Sequence, residues 1–175
     1  MRSIRKAPRC IITAGPNGAG KTTFARQYLT VARGILHSVT ADLIASGSAP
    51  LHPELAARTA GRLLLMELDR LVGEKASFAL GSTLRGRSYL ERIARMRKAG
   101  YQIEMVFLRL SGPELSIKRV AHRVKQGGHH VPDEDVRRPF TRGRSNFVEH
   151  YRSLADPWAV YENSGPTPIL LERHP

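Results

Sequence analysis

The chain has one cysteine, few aromatic side chains and no long apolar run. Because Cys10 is the single cysteine among 175 residues, no disulfide can form within the chain, and its apolar surroundings predict a small buried side chain rather than a nucleophile. No segment reaches the roughly 20 apolar residues of a membrane span. The basic residues 1–6 are not followed by the apolar core of a signal peptide. We therefore expect a cytoplasmic protein with no membrane partner.

Acidic residues are also scarce. There are 15 Asp and Glu against 28 Lys and Arg, which gives a formal net charge of +13 and calls for an anionic partner or substrate. Polyphosphate ligands, nucleic acid, or simply arginines on solvated helix faces would each account for this excess. Aromatic residues make up 6% of the chain and no lysine-rich tail is present, so a platform for stacked bases is poorly supported. The composition disfavours nucleic acid as a partner without excluding it.

What the chain does contain is a glycine-rich segment, Gly15–Thr22, with the spacing of a phosphate-binding P-loop. The apolar run 10–14 precedes it and a helical pattern over 23–29 follows it, which is the strand–loop–helix order that the motif requires. In such a loop, backbone N–H groups and the helix N-terminus surround the phosphates, Lys21 reaches the β- and γ-phosphates, and the Thr22 hydroxyl is a ligand of Mg²⁺. We predict ATP and Mg²⁺ as cofactors. The predicted nucleotide-binding residues are Gly15, Pro16, Asn17, Gly18, Ala19, Gly20, Lys21, Thr22 and Thr23.

Beyond the P-loop, strand and helix patterns alternate. Apolar and β-branched runs predict strands over 34–40, 77–81, 101–110 and 156–165, with a last edge strand over 166–172. Helical periodicity bounded by glycine or proline predicts helices over 54–71, 88–98, 114–125 and from residue 133. No repeat, low-complexity tract or linker divides the chain. The pattern predicts one three-layer α/β domain, residues 1–175, with a mostly parallel sheet.

Three polar residues follow predicted strands, at the sheet edge where α/β proteins bind ligands. Asp42 follows the second strand, where its carboxylate can face the γ-phosphate or can cap the next turn. Thr83 and Arg85 follow the third strand, and a hydroxyl beside a guanidinium suits phosphate or sugar recognition. A capping threonine and a solvated arginine are the alternative for that pair.

Residues 119–144 form a predicted basic hairpin. Arg119 and Arg123 lie four apart on one helix face, glycines at 127 and 128 break that helix, and the next helix carries arginines at 137, 138, 142 and 144. We interpret the hairpin as a lid whose arginines close over the transferring phosphoryl group, with a solvated basic helix pair as the alternative. His129 and His130 lack further ligands at suitable spacing, so no metal other than Mg²⁺ is expected.

Together these segments resemble the zeta-toxin family of small P-loop kinases. The resemblance covers residues 11–165. It is carried by the P-loop, Thr40-Ala41-Asp42, Ser82-Thr83-Leu84-Arg85, Arg119-Val120 to Arg123-Val124, Gly127-Gly128-His129, Val131-Pro132, Tyr151–Asp156 and Asn163-Ser164-Gly165. It implies a P-loop NTPase fold like that of nucleoside monophosphate kinases, with a five-stranded, mostly parallel sheet in the order 2-3-1-4-5 and a helical lid.

The resemblance also implies a reaction. The chain would be a kinase that transfers the γ-phosphate of ATP to an alcohol group, the sugar hydroxyl of a nucleotide sugar such as UDP-N-acetylglucosamine. Asp42 would be the general base, Lys21 and Arg123 would act on the transferring phosphoryl group, and Thr83 and Arg85 would contact the acceptor. The family commonly has Glu two residues before that threonine, where this chain has Gly81, so the identity of the acceptor stays open. An antitoxin, as a separate chain, is the protein partner that the family suggests.

Three rival functions share parts of the pattern. The P-loop wording is typical of ABC transporter ATPases, but the chain is short and Leu110-Ser111-Gly112-Pro113 is not their signature. The basic surface would suit an ATP-binding nucleic-acid-associated protein or a polynucleotide kinase, whose binding would depend on salt. Gly81 would also fit a nucleotide-binding module without catalysis.

Overall fold

A computed structural model describes residues 7–29, 37–40, 53–127 and 131–175. In chain order, its strands are β1 Arg9–Ala14, β2 His37–Thr40, β3 Phe78–Ser82, β4 Gln102–Arg109, β5 Trp158–Glu162 and β6 Ile169–His174. Its α-helices are α1 Lys21–Phe24, α2 Pro53–Gly73, α3 Leu90–Lys98, α4 Pro113–Lys125 and α5 Asp133–Asn146. A π-helical turn, Ala25–Leu29, continues α1; another, Phe147–Tyr151, continues α5 and leads into a 3₁₀ turn, Arg152–Leu154.

The strands form a single sheet in the order β2-β3-β1-β4-β5-β6. The first five are parallel to their neighbours, which confirms the predicted fold class and the order 2-3-1-4-5. The count of five strands that the resemblance implies is one too low, because β6, which the sequence predicts as an edge strand over 166–172, pairs antiparallel with β5. Only a short turn separates Glu162 from Ile169, and a parallel crossover needs a dozen residues or more.

Both faces of the sheet are covered, which is why its central strands are almost continuously apolar. On one face, Cys10 and Ile12 of β1 pack with Leu68 of α2 and Ile93 of α3. On the other, Ile11 packs against the turn that continues α1. Cys10 is fully buried as predicted, and burial raises the pKa of its thiol far above its usual range, so it is an unreactive core side chain.

The register of the sheet brings several loops to one edge. Ala14, the last residue of β1, lies beside Ser82, the last residue of β3, and beside Phe107 near the end of β4. The P-loop after β1 and the loop after β3 therefore start side by side. This is the carboxyl edge of the parallel strands, where open α/β sheets bind their ligands.

None of the helices in the described ranges is both long and apolar enough to cross a membrane.

Candidate active site

The P-loop leaves β1 through a residue that must be glycine. Gly15 has φ 144°, and a Cβ at this position would lie 2.4 Å from the carbonyl oxygen of Leu108 on β4. The Gly15 N–H donates to the Ser82 carbonyl at 3.2 Å, so the loop is tied to the end of β3 at its first residue. The loop then ends at α1, where the Phe24 N–H donates to the Gly20 carbonyl at 2.8 Å.

Lys21 folds back over this loop. Its Nζ donates to the carbonyl oxygens of Gly15 at 3.0 Å and Pro16 at 2.9 Å. The ammonium group is thereby held above the loop by acceptors that phosphate oxygens can replace. Thr22 is half-buried, and its hydroxyl has no hydrogen-bond partner among the described residues, so it is available as a metal ligand.

The outer side of the P-loop is held by α4 and by the turn between β5 and β6. Ser116 Oγ donates to the Asn17 carbonyl, and Asn163 Nδ2 donates to the Ala19 carbonyl at 2.7 Å. These two positioning residues were missed by sequence reasoning, because Ser116 comes 99 residues after Asn17 and Asn163 comes 144 residues after Ala19. For Asn163, the sequence feature that could have indicated a role was the Asn163-Ser164-Gly165 segment, which is one of the segments that carry the family resemblance.

Arg119 joins the same three elements. Its Nη1 donates to the Asn163 carbonyl and its Nη2 to the Ser164 carbonyl, both at 2.8 Å, and Nη1 also approaches the Gly18 carbonyl at 3.5 Å. Arg119 is the first residue of the predicted lid. In the structure its guanidinium binds main-chain oxygens, so it fixes the P-loop against α4 and the β5–β6 turn.

The segment that follows β3, residues 83–87, contains the two residues predicted to contact the acceptor, and it is named the acceptor loop for that prediction. It carries Thr83, which is half-buried, and Arg85, which is exposed. Between them Leu84 has φ 50°, a left-handed conformation that is strained for a leucine, and its side chain is buried. The Leu84 N–H donates to Ser82 Oγ at 3.1 Å.

Contacts with α5 and its continuation hold the acceptor loop in this shape. Asn146 Nδ2 donates to the Leu84 carbonyl at 2.7 Å, and the Tyr151 hydroxyl donates to the Gly86 carbonyl at 2.7 Å. Burial raises the pKa of Tyr151, which keeps the hydroxyl protonated as a donor. At Gly143 the backbone of α5 comes so close that a Cβ would lie 2.4 Å from the Thr83 carbonyl oxygen.

A small cavity of about 100 Å³ opens between α5 and the acceptor loop. It is lined by Arg85 from the loop and by Asp135, Arg138 and Arg142 from α5. The structure thus brings two of the basic residues of the predicted lid to the predicted substrate residue Arg85.

Two other lid arginines lie elsewhere. Arg137 forms an ion pair with Glu114 at the start of α4, at 2.7 Å, and this pair lowers the pKa of Glu114. Arg123 is half-buried on α4, one turn after Arg119. Gly127, with φ 86°, ends α4 as predicted. Gly128 and His129 lie outside the described residues.

The predicted base Asp42 also lies outside the described residues. Thr40, two residues before it, ends β2 and pairs in register with Gly81 of β3. A Cβ at Gly81 would lie 2.5 Å from Thr40 Cγ2. The Thr40 methyl therefore occupies the space next to Gly81 that a larger residue would need.

Comparison with known protein families identifies the family of this chain. The zeta-toxin family model matches residues 2–173. The chain belongs to the zeta-toxin family. The resemblance seen in the sequence is confirmed, and the protein is a P-loop phosphotransferase that binds ATP.

One curated protein and two solved structures illustrate what the chain is similar to. An uncharacterized protein of Haemophilus influenzae is 29% identical over 129 residues, which are 74% of this chain and 90% of that protein. A structure of the PezAT chromosomal toxin–antitoxin system of Streptococcus pneumoniae has a TM-score of 0.68 at 16% identity, over 98% of this chain and 73% of that one. The AvrRxo1-ORF1:-ORF2 structure with ATP has a TM-score of 0.75 at 15% identity, over 97% of this chain and 59% of that one. At these identities the two structures show a shared fold.

Within the described ranges, no group of three or more His, Cys, Asp or Glu side chains could hold a metal ion. Thr22 is the described residue that would hold Mg²⁺ at this site, together with the phosphates of the nucleotide, as is usual in P-loop proteins.

Proposed function

We propose that this zeta-toxin family member transfers the γ-phosphate of ATP to a sugar hydroxyl, in a nucleotide sugar such as UDP-N-acetylglucosamine. The observation that supports it is the meeting of the P-loop and the acceptor loop at one edge of the sheet. Ala14 and Ser82 are in register, and the Gly15 N–H to Ser82 carbonyl bond fixes the two loops to each other. Phosphoryl transfer needs little covalent chemistry from the protein beyond positioning and charge stabilisation, so such a junction suits it.

On the donor side, the P-loop backbone of residues 15–20 and Thr23 would surround the phosphates, and Lys21 would exchange its two carbonyl partners for phosphate oxygens. Mg²⁺, when bound through the Thr22 hydroxyl, supplies neutralisation of the charge on the β- and γ-oxygens. Arg123 lies on α4, the helix that contacts the P-loop. We propose that it stabilises the negative charge that develops on the phosphoryl group during transfer.

On the acceptor side, Asp42 is the proposed general base, which orients the hydroxyl in line with the γ-phosphate and takes its proton. Thr83 and Arg85 are the proposed contacts to the acceptor, and the Asn146 and Tyr151 hydrogen bonds keep their loop in place. We take residues 1–175 as one kinase domain, with 119–144 as its lid, acting in the cytoplasm.

A protein partner is also proposed. The PezAT neighbour is described as a toxin–antitoxin system, so a separate antitoxin chain is a reasonable partner for this protein as well.

The experiment is a screen of phosphate transfer from ATP across nucleotide sugars, nucleosides and oligonucleotides, with the wild type and the Asp42→Asn variant. Asn keeps the shape of Asp and removes its charge and basicity, so transfer should fall on the order of 10²–10⁴-fold. ATP binding should persist. Asp69→Asn is the control, because this exposed aspartate pairs with Arg92 on the neighbouring helix.

Two outcomes would contradict the proposal. Full activity of Asp42→Asn would show that the proposed general base is not needed for transfer. Phosphorylation of oligonucleotides alone would favour the polynucleotide kinase instead.

A further inference from the structure

Three consecutive carbonyls of the P-loop, those of residues 17, 18 and 19, are each approached by a side-chain donor from outside the loop. The donors are Ser116 and Arg119 of α4 and Asn163 of the β5–β6 turn. A trans peptide directs its C=O and the following N–H in opposite directions, so donors on the outside turn the N–H groups of residues 18–20 toward the other side of the loop. In that orientation backbone N–H groups can surround phosphate oxygens.

Two of these three donors depend on the β5–β6 turn. Asn163 belongs to the turn, and its own N–H donates to the Arg109 carbonyl of β4 at 2.9 Å. Arg119 comes from α4, but it donates to the carbonyls of Asn163 and Ser164, both at 2.8 Å. The approach of its guanidinium to the Gly18 carbonyl is therefore set by where the turn places these two acceptors.

A carboxylate fixes Ser164 within the turn. Glu162, the last residue of β5, accepts hydrogen bonds through Oε1 from the Ser164 N–H, at 3.1 Å, and from the Ser164 hydroxyl. The Ser164 Oγ in turn accepts the N–H of Ser111, at 2.8 Å, from the segment between β4 and α4. One side chain thus holds both donors of the residue whose carbonyl Arg119 binds.

The hydrogen bonds of Glu162 matter more than its charge pairing. Hydrogen bonds to a carboxylate are shorter and stronger than those between neutral groups. The ion pair of Glu162 with Arg109 is long, at 3.5 Å, and the Arg109 side chain is 42% exposed. Ion pairs open to solvent contribute little. The role of Glu162 therefore lies in its two bonds to Ser164.

We infer that Glu162 is a positioning residue of the donor site, although it lies outside the P-loop. Its carboxylate fixes Ser164, and the turn then orients Arg119. Arg119 and the Asn163 amide hold the P-loop carbonyls outward, so the N–H groups are set for phosphate before the nucleotide binds. This inference rests on ATP binding at the P-loop and not on the proposed acceptor.

The test measures the Kd of a non-hydrolysable ATP analogue with Mg²⁺ by calorimetry, for the wild type, Glu162→Ala and Glu162→Gln. Ala removes the acceptor, so the Kd should rise about threefold to tenfold, a part of what hydrogen bonds to a charged group contribute. Gln keeps one carbonyl oxygen for both Ser164 donors, so its Kd should stay within about twofold of the wild type.

Asp156→Ala is the matched control. Asp156 also accepts a main-chain N–H, that of Ile103 at 3.0 Å, and also pairs with an arginine, Arg97 at 3.1 Å. It precedes the first residue of β5, at the opposite edge of the sheet from the P-loop. Its loss should lower the melting temperature and leave the Kd unchanged. Arg109→Gln removes the ion pair of Glu162 alone and should leave the Kd unchanged as well.

A double variant tests the route through Arg119. Arg119→Gln alone should weaken binding, and the addition of Glu162→Ala should weaken it little further, because the two residues act through one network. If the two fold-changes multiply, Glu162 does not act through Arg119, and the inference is overturned.

An unchanged Kd in Glu162→Ala, or an equal rise in Asp156→Ala, would show that Glu162 only stabilises the fold. If Glu162→Ala does not fold, Ser164→Ala removes the hydroxyl that joins Glu162 to the Ser111 N–H. Its Kd should rise about threefold, and an unchanged Kd would overturn the inference. None of these results bears on the proposed transfer to a sugar hydroxyl, because the measurement contains no acceptor.

Discussion

The donor side and the acceptor side of this site are built differently. On the donor side, the groups around the P-loop satisfy one another. The Lys21 ammonium and the side chains of Ser116, Arg119 and Asn163 all donate to main-chain carbonyls of the loop or of the turn beside it. On the acceptor side, Leu84 is held in a strained conformation, and three arginines line a cavity without an ion pair to any carboxylate that the structure describes.

This difference matches the two tasks. A phosphate donor is the same for every ATP-dependent kinase, so a loop that is preformed by its own hydrogen bonds serves all of them. Acceptors differ from kinase to kinase, so a strained backbone and unneutralised charge in the loop proposed to contact the acceptor would suit the recognition of one substrate. Both are stable only because the surrounding fold enforces them. Substitutions that change one side at a time can show whether the other side responds.

The largest effect is expected from Lys21→Ala on the donor side. ATP with Mg²⁺ should stabilise the wild type by about 2.7 kcal/mol at 100 times its Kd, because the ligand binds only the folded state. The variant should lose most of this stabilisation, since the P-loop lysine is the cation that reaches the β- and γ-phosphates. Thermal melting with and without ATP measures it, and the exposed Lys98→Ala is the control. A wild type that shows no ATP-dependent shift would contradict the P-loop assignment.

The next effect is expected from Gly143→Ala on the acceptor side. The new methyl group would lie 2.4 Å from the Thr83 carbonyl oxygen, so α5 and the acceptor loop must move apart. Such overpacking costs about 1–3 kcal/mol, and it should raise the KM for the acceptor while the ATP-dependent stabilisation stays unchanged.

Gly61→Ala is the matched control for this change. Gly61 is also in a helix, α2, and nothing lies within 4 Å of a Cβ there, so the variant should be neutral or stabilised by up to about 1 kcal/mol. An acceptor KM that Gly143→Ala leaves unchanged would show that the acceptor does not depend on the position of this loop.

The two sides also differ in how far the sequence predicts them. Spacing alone identifies Gly15–Thr22, because backbone geometry and phosphate chemistry act through consecutive residues. Alternating patterns likewise predict the strands and helices to within a few residues, including the last edge strand, whereas the strand order and the count of five came from the family resemblance. Such local signals suffice where neighbours in sequence are neighbours in space.

The contacts that hold the site together could not be predicted in this way. Ser116, Asn163 and Asn146 act on loops that lie 62 to 144 residues before them, so their role depends on the tertiary fold. The spacing of Asp135, Arg138 and Arg142 was visible in the sequence, but nothing local indicates that Arg85 faces them. Asp42 stays a prediction, because it lies outside the described residues.

A moderate effect is expected from Arg119→Gln, which tests how rigid the donor side must be. Loss of the two 2.8 Å bonds to Asn163 and Ser164 should loosen the P-loop and raise the Kd for ATP about tenfold, within the range for hydrogen bonds to a charged group. The exposed neighbour Lys118→Gln is the control. A fall in kcat with unchanged ATP binding would instead place Arg119 in the transfer step, as the lid interpretation has it.

The smallest effect is expected where β2 meets β3, and it tests why the acceptor side has a glycine. Gly81→Ala would bring a Cβ to 2.5 Å from Thr40 Cγ2, and should destabilise the protein because the strands are fixed by their register. Thr40→Ser removes that methyl and keeps the hydroxyl, so the double variant should regain stability, with a coupling of about 0.5–3 kcal/mol. Denaturant unfolding of the four proteins measures it. Strictly additive effects would mean that Thr40 does not fill this space. Glycine at position 81 would then be required for acceptor binding and not for packing against Thr40 in the sheet.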